Sequence, residues 1–496
     1  MDHLHDLVGQ HFVVDFAGTE LDPVVERLIR EGRVGGVILF PKNVASPDQV
    51  RRLITDLQDL AREASLPPLW ITVDQEGGWV NTLRDVPICP AAMALGASGA
   101  EADAYEAGRI TGSVLRGLRI NANHAPVLDV NTNPRNPIIG PRSFGEDPQV
   151  VARLGCAYLK GLRSCGVLGI VKHFPGHGDT EVDSHLDLPV VRKGRSDLEQ
   201  VELVPFRASF EAGAEALMTA HVLYPALDPV LPATFSPCIL RDLLRGEMGF
   251  EGVVFTDALG MGAVRGRWSR EEAVVLSLRA GADVVLNLGT AEEQWAGIKA
   301  AREAARQGRL ALSELRASVR RLNRLKEHYA AISPTRPVPL PDLQQAALEL
   351  ARRGLTLVRA GRVPLPPGPT AVLSLGLEEA ARDVFLGELR AFRPWVQAVT
   401  SPREALGAWE NLVVLTPGWR GTAHTQTVRD LWTYYRDRLV VVGAGGPYEL
   451  AGFPEVATYL VAYGPDPGSL LAAAWALVGR LMCTGRLPVT VPGAWA

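Results

Sequence analysis

Eight short apolar segments, separated by stretches of helical periodicity, most constrain the fold of this 496-residue chain. Each segment has five to seven residues and is rich in aliphatic side chains, as is typical of strands buried on both faces. They are Phe12–Phe16, Gly36–Phe40, Leu69–Asp74, Ile120–Pro126, Val167–His173, Ala216–His221, Val253–Asp257 and Asp283–Leu288. Strands that alternate with helices predict a parallel sheet, and eight such units within about 290 residues predict an N-terminal (β/α)₈ barrel of the TIM type. An open, doubly wound sheet is the alternative.

A proline-rich segment divides the chain, which is too long for a single hydrophobic core. Residues 334–341 contain four prolines and predict an extended linker. We therefore expect a barrel domain over residues 1–333 and a smaller C-terminal α/β sandwich domain over residues 342–496. The second domain contains five further strand-like runs: Leu355–Arg359, Ala371–Leu375, Leu412–Leu415, Leu439–Val442 and Thr458–Val461.

Charge and composition argue against several classes of partner. The formal net charge is −4 with both signs interspersed, so we expect no nucleic-acid-binding surface and no anionic-membrane-binding surface. The N-terminus lacks a cationic region followed by an apolar core, and no stretch approaches ~18 apolar residues, so neither a signal peptide nor a membrane span is expected. Five scattered cysteines fit reduced thiols. We predict a soluble, cytoplasmic protein and leave its oligomeric state open.

Polar residues gather where the predicted strands end. The densest group is Lys172–His185, which holds three histidines, a lysine, two aspartates and a glutamate. The carboxyl ends of barrel strands meet at one mouth, where this fold builds its active sites. A solvated loop rich in histidine is one alternative, and a metal site formed by His173, His177 and His185 is another.

Several segments at these strand ends resemble glycoside hydrolase family 3, in its bacterial β-N-acetylhexosaminidase branch. They are Asp74–Gly78, Pro90–Gly96, Asn131–Pro137, Arg142–Pro148, Lys172–His185, Met218–His221 and Thr256–Met261. The C-terminal domain, including Gly485–Val489, is similar to the second domain of longer members. The resemblance implies a small carbohydrate substrate, a β-linked amino-sugar glycoside, with no cofactor and no metal.

The resemblance also implies a retaining mechanism with a covalent glycosyl-aspartate intermediate. Asp257 would be the nucleophile, and a pair formed by His185 and Asp183 would replace the carboxylic acid that most glycosidases use as proton donor. An imidazole titrates near ~6.5, so it can donate a proton to the leaving oxygen and later accept one from water. The aspartate would orient the imidazole and stabilise its cationic form.

The same resemblance implies which side chains bind the sugar, and it shows one departure from the family pattern. Its predicted sugar ligands are Asp74, Arg142, Lys172, His173 and His221; for His221, a hydrogen-bonded core histidine is the equal alternative. After Asp74–Gly78 the family usually continues Arg-Val-x-Arg, whereas this chain has Trp79 and Thr82 in place of the arginines. The second arginine normally helps to bind the sugar, and threonine cannot replace its charge or reach.

We therefore predict an exo-β-N-acetylglucosaminidase that acts on cell-wall or chitin-type fragments. A family 3 enzyme of different sugar preference, such as a β-glucosidase or a glycoside phosphorylase, is the close alternative. A metal-dependent hydrolase and an inactive sugar-binding protein are the more distant ones.

Overall fold

The N-terminal domain is a parallel barrel, as predicted. The computed structural model describes residues 3–329, 339–419 and 424–493. In the first of these ranges the strands are β1 Phe12–Val14, β2 Gly36–Ile38, β3 Trp70–Val73, β4 Gln75–Gly77, β5 Val80–Asn81, β6 Ala122–Asn123, β7 Leu168–Phe174, β8 Ala216–Thr219, β9 Val253–Phe255 and β10 Val285–Leu286. Strands β4 and β5 form a separate hairpin, and the other eight form one sheet in the order β10–β1–β2–β3–β6–β7–β8–β9.

The barrel closes between β9 and β10. A parallel bridge joins Phe255 to Val284, and the Thr256 amide donates to the Val284 carbonyl at 2.8 Å. Alternate residues of each strand face opposite sides, so Val13 and Ile38 pack inside the barrel while Phe12 and Val14 pack against the surrounding helices. The strands are aliphatic throughout because both of their faces are buried.

Helices cover the outside of the barrel, and several begin at side-chain caps. Ser46 accepts a hydrogen bond from the Gln49 amide before the helix that contains Asp48–Glu63, and Thr290 and Glu293 form a reciprocal capping box. The helices are α1 His3–Gly9, α2 Pro23–Arg27, α3 Pro47–Glu63, α4 Ala92–Ser98, α5 Glu101–Gly117, α6 Pro148–Ser164, α7 Arg195–Gln200, α8 Leu203–Glu211, α9 Gly262–Arg265, α10 Arg270–Ala280, α11 Ala291–Arg306 and α12 Leu312–Tyr329. Wider π-helical turns occur at Leu28–Gly32 and Cys238–Glu247.

The C-terminal domain is an α/β sandwich around a mixed sheet. Within the described residues its strands are β11 Thr356–Ala360, β12 Thr370–Ser374, β13 Val396–Val399, β14 Asn411–Thr416, β15 Leu439–Gly443 and β16 Thr458–Val461, in the order β11–β16–β15–β14–β12–β13. Its helices are α13 Leu340–Gly354, α14 Glu379–Phe392, α15 Pro402–Ala405, α16 Thr425–Tyr435 and α17 Pro467–Leu477. Leu412 and Val413 contribute to separate hydrophobic clusters on the two faces of the sheet, so both faces are covered.

The predicted linker, residues 334–341, falls largely outside the described residues. Its last two residues, Leu340 and Pro341, already belong to α13, where proline is well tolerated in the first turn. The domain boundary therefore stays a prediction. None of the helices in the described ranges combines the length and apolarity needed to cross a membrane.

Candidate active site

A cavity of about 490 Å³ lies at the mouth of the barrel, beyond the carboxyl ends of its strands. This volume is in the range of pockets that hold small organic ligands. Its polar lining comes from several strand ends and loops: Asp74, Glu76, Trp79, Asn81, Thr82, His124, Arg142, Lys172, His173, His177, Ser184, His185 and Asp257. The cavity therefore brings together Asp257, His185 and four of the five predicted sugar ligands.

Two carboxylates and two cations form a compact network in this cavity, which we call the ion quartet: Asp74, Glu76, Arg142 and Lys172. Lys172 Nζ donates to Asp74 Oδ1 at 2.7 Å and lies 2.6 Å from Glu76 Oε1. Arg142 Nε and Nη2 each donate to one oxygen of Glu76 at 2.8 Å, in the bidentate geometry that suits a guanidinium. The quartet lines the cavity as one connected, charge-balanced network.

The quartet keeps its own members ionised. Burial raises the pKa of a carboxyl group, but Lys172 and His124 hold the pKa of Asp74 well below its usual value. Burial likewise opposes ionisation of Glu76, and Arg142 and Lys172 overcome it, so the Glu76 pKa is also lowered. The two carboxylates in turn raise the pKa of Lys172 against the effect of its burial. At neutral pH the quartet presents fixed charges to the cavity, and its carboxyl groups hold no proton to give.

Asp257 lies two residues beyond the end of β9 and is partly exposed at the cavity. Its Oδ1 accepts a hydrogen bond from the Ala258 amide at 2.7 Å, which orients the carboxylate. Burial tends to raise the pKa of this carboxyl, but His173, His221, the Ala258 amide and Lys172 together hold the pKa below its usual value. Asp257 is therefore an ionised, oriented carboxylate beside the ion quartet.

His185 and Asp183 form a hydrogen-bonded pair on the loop after β7. His185 Nδ1 donates to Asp183 Oδ1 at 2.8 Å, and the His185 amide donates to the same oxygen at 2.9 Å. The imidazole side chain is 56% exposed and the carboxylate 23% exposed. The loop rests on α9, because the amides of Gly262 and Ala263 donate to the carbonyls of His185 (3.1 Å) and Ser184 (3.0 Å). A Cβ atom at Gly262 would lie 2.4 Å from the His185 carbonyl oxygen, so this approach requires glycine.

Asp129 organises the first half of the same loop. Its Oδ2 accepts from His173 Nδ1 at 2.7 Å, and its Oδ1 accepts from the amides of His173 (3.2 Å) and His177 (2.7 Å). The ring nitrogens of His177 pair with the hydroxyls of Thr180 (2.9 Å) and Ser184 (3.0 Å). Burial lowers the pKa of His177 to about 4, so its ring is neutral and fastens the loop.

His221 lies behind the cavity. Its Nδ1 pairs with the Thr234 hydroxyl at 2.8 Å, and its Nε2 donates to the Ala258 carbonyl at 3.1 Å. Burial lowers the pKa of His221, which fits a neutral ring. Both nitrogens are thus engaged, and the ring supports the segment that carries Asp257 rather than facing a ligand. Of the predicted sugar ligands, His221 is the one that the cavity does not include.

The two departures from the family pattern have different surroundings. Thr82 is buried, and its hydroxyl lies 3.2 Å from the Asp74 carbonyl, to which it donates. Trp79 lies on the wall of the cavity, and its Nε1 donates to the carbonyl of Ala444 in the C-terminal domain at 2.8 Å. The ring of Trp79 also meets the ring of Trp419 edge to face at 5.7 Å. The second domain therefore holds one wall of the cavity in place.

The geometry gives no support to the predicted metal alternative. In the described ranges, no three His, Cys, Asp or Glu side chains are grouped so as to hold a metal ion. His173 is bound to Asp129, and both ring nitrogens of His177 are bound to hydroxyls. The three histidines of the alternative therefore do not converge with free nitrogens.

Glu76 and His124 are among the polar residues of the cavity that sequence reasoning missed. Glu76 sits in the Asp74–Gly78 motif, two residues after Asp74, and that spacing was a signal for a second inward carboxylate. His124 follows β6 at a predicted strand end, the same position that singled out the other candidates.

Comparisons with known proteins agree with this geometry. Residues 4–325 match the glycosyl hydrolase family 3 N terminal domain. Beta-hexosaminidase from Stenotrophomonas maltophilia (strain K279a) is 41% identical over 281 residues, covering 55% of this chain and 82% of that protein. Beta-hexosaminidase A from Pseudoalteromonas piscicida is 38% identical over 314 residues, covering 56% of this chain and only 52% of that relative.

Several solved structures match both domains of the chain. A glycoside hydrolase family 3 beta-N-acetylglucosaminidase from Paenibacillus sp. str. FPU-7 superposes with a TM-score of 0.93 at 36% identity, and the match covers 98% of this chain and 99% of that one. The agreement therefore extends beyond the barrel to the arrangement of the two domains. On the match of residues 4–325, which is more than half of its length, the chain belongs to glycosyl hydrolase family 3.

Proposed function

We propose that the protein is a retaining exo-β-N-acetylglucosaminidase that removes terminal β-linked N-acetylglucosamine from cell-wall or chitin-type fragments. The observation that carries this proposal is the single cavity lined by Asp257, by His185 and by the ion quartet. A retaining glycosidase needs a nucleophilic carboxylate and a proton donor that reach the same glycosidic bond.

In the first step Asp257 attacks the anomeric carbon. A bond forms between its carboxylate oxygen and that carbon while the bond to the leaving oxygen breaks. The lowered pKa of Asp257 supports this role, because an ionised carboxylate can meet the developing positive charge of the sugar ring. The Ala258 amide orients the carboxylate before the substrate arrives.

His185 gives its Nε2 proton to the leaving oxygen, while its Nδ1–H remains hydrogen-bonded to the Asp183 carboxylate. In the second step the neutral ring accepts a proton from water, whose oxygen attacks the anomeric carbon and releases Asp257. Three other titratable groups of the cavity are unsuited to this proton transfer. Asp74 and Glu76 are held ionised, and His177 is held neutral with both nitrogens occupied. A partly exposed imidazole can exchange protons with solvent between the two steps.

The ion quartet and His173 would bind the hydroxyl groups of the terminal sugar. Sugar hydroxyls both donate and accept, and the quartet offers carboxylate acceptors beside cationic donors. Choice of N-acetylglucosamine is supported by the similar proteins, two named beta-hexosaminidase and one beta-N-acetylglucosaminidase. All five cysteines are free, which supports a reducing, cytoplasmic location.

The direct test is covalent trapping. A fluorinated, mechanism-based N-acetylglucosaminide should inactivate the protein, and peptide mapping should find the label on Asp257. Asp257→Asn should lose the label and at least about 10⁴-fold in kcat, since a carboxamide cannot act as the nucleophile. A label on another residue would overturn the assignment.

A panel of aryl β-glycosides separates the remaining alternatives. Faster turnover of the glucoside than of the N-acetylglucosaminide would indicate a β-glucosidase, and sugar phosphate formed in added phosphate would indicate a phosphorylase. Loss of activity after exhaustive chelation would favour a metal-dependent hydrolase. No turnover of any glycoside would leave a sugar-binding protein.

A further inference from the structure

His124 has an environment unlike that of the other histidines at this barrel mouth. It follows β6, is fully buried and lines the cavity. Neither ring nitrogen has a hydrogen-bond partner within the described residues. His173, His177, His185 and His221, by contrast, each make at least one ring hydrogen bond. Buried polar groups almost always find partners, so an imidazole left without one beside a ligand cavity points to a ligand group as its partner.

The charged neighbour of His124 is Asp74, a member of the ion quartet. His124 Nδ1 lies 3.6 Å from Asp74 Oδ1, which is too long for a hydrogen bond but close enough for one hydroxyl to contact both groups. The other side of the ring meets Phe255, with ring centroids 6.3 Å apart. The backbone is fixed, because the His124 amide donates to the Val73 carbonyl at 2.9 Å. Within the described part of the chain, the ring itself makes no hydrogen bond that a ligand hydroxyl would have to displace.

Thr82 does not supply the sugar contact that the family arginine makes, and His124 can supply a donor instead. Family members usually carry an arginine at the position of Thr82 that helps to bind the sugar, but the Thr82 hydroxyl is occupied with the Asp74 carbonyl. Thr82 therefore supplies no donor to the cavity from this position. A ring N–H of an imidazole can donate to the oxygen of a hydroxyl whose own proton is accepted by a carboxylate.

We propose that His124 is a specificity-determining residue that binds, together with Asp74, one hydroxyl of the terminal sugar. This inference rests on the proposed function for the identity of the sugar. Asp74 accepts the hydroxyl proton, and a ring N–H of His124 donates to the hydroxyl oxygen. Deleting that hydroxyl removes both contacts, whereas deleting another hydroxyl leaves them.

The test couples substitutions of His124 to deoxy sugars. Kd is measured by calorimetry for N-acetylglucosamine and its 3-, 4- and 6-deoxy analogues, and kcat/KM is measured for the matching aryl glycosides. His124→Phe, which keeps a flat ring and removes both nitrogens, should weaken binding roughly 10-fold. In the wild-type protein one deoxy analogue should bind worse than the others. His124→Phe should remove that discrimination, and His124→Gln, which retains a donor, should restore part of it.

The outcomes separate this inference from the proposed function. A His124→Phe effect that is equal for all four sugars, or within twofold of wild type, overturns the role of His124 even if the glycosidase activity is present. Sugar-specific coupling in binding supports it even if the aryl glycosides are not hydrolysed. Should His124→Phe fail to fold, the same comparison is made with His124→Leu, which also removes both ring nitrogens. If none of the sugars binds to wild-type protein, both proposals fail.

Discussion

The two sides of the cavity are built in opposite ways. On one side the ion quartet is packed into the barrel, and the side chains of Lys172 and Glu76 are 2% and 6% exposed. On the other side His185 and Asp183 stand on a loop that contacts α9 mainly through backbone hydrogen bonds, and the imidazole is largely open to solvent. The proposed roles suit this difference, because charges that only bind a ligand can be buried and fixed, whereas a group that must lose and regain a proton needs contact with water.

This difference predicts that the two sides respond differently to substitution. Changes on the buried side should alter both binding and folding stability, because they leave charges without partners in a desolvated place. Changes on the loop side should alter the chemical step and leave stability nearly constant, because exposed pairs contribute little to folding.

The largest effect is expected at His185. Replacing it with alanine removes the proposed acid and base and should lower kcat by about 10²–10⁴-fold. An activated aryl glycoside, whose leaving group needs no proton, should lose much less in the first step. Asp183→Asn should give a smaller loss of kcat, because it keeps the ring but not its charge partner. The urea midpoint of both variants should match that of wild type; a clear drop would place the loop among the stabilising parts of the fold.

Lys172→Met tests how strongly folding stability depends on the buried ion quartet. It removes one of two counter-charges from Asp74 and Glu76, and we expect the free energy of unfolding to fall by about 3–4 kcal/mol. Arg135→Met is the matched control, since Arg135 pairs with Glu181 on the surface and should change stability by less than about 1 kcal/mol. Adding Glu76→Gln to Lys172→Met should recover part of the loss. Equal losses of unfolding free energy in Lys172→Met and Arg135→Met would contradict the difference between the buried and the exposed side of the cavity.

Sequence reasoning succeeded where the signal is local. The barrel was predictable because β-branched and aliphatic runs recur at strand length, and polar residues after Val73, Val171 and Thr256 identified one mouth of the barrel. The edge strand β13 was missed because only its ends, Val396 and Val399, are buried, which gives no apolar run.

Long-range partners could not be read from the sequence. Arg142 and Glu76 lie 66 residues apart, and their pairing follows from how the β4–β5 hairpin meets the segment that carries Arg142. His221 ends an apolar strand as other candidates do, yet its ring turns toward Thr234, and nothing in its own segment reveals that direction. Residue types at strand ends therefore predict where the site lies, while packing decides which side chains reach the ligand.

His177 links the two sides of the cavity, because its buried ring pairs with the Ser184 hydroxyl on the loop that carries His185. The pH dependence of folding stability tests this link. The pKa of His177 is about 4 in the folded protein against ~6.5 when unfolded, so between these values only the unfolded state takes up the proton. Stability from this residue is complete above pH ~6.5 and falls as the pH drops, by about 2 kcal/mol between pH 7 and pH 5. Urea unfolding of His177→Gln over this range should show a correspondingly shallower pH dependence. An unchanged slope would contradict a neutral, buried His177.

The smallest effect concerns the wall held by the C-terminal domain. Trp79→Phe keeps an aromatic ring at the cavity but removes the Nε1–H bond to the Ala444 carbonyl, a loss of about 1 kcal/mol. The ring should then be less well oriented for a sugar, so KM should rise about fivefold while kcat stays close to wild type. Trp395→Phe is the control, because Trp395 is an exposed tryptophan of the C-terminal domain. A fall in kcat with unchanged KM would mean that the wall acts on the reacting groups and not on binding, and the separation between a fixed binding side and a solvent-facing chemical side would no longer describe the cavity.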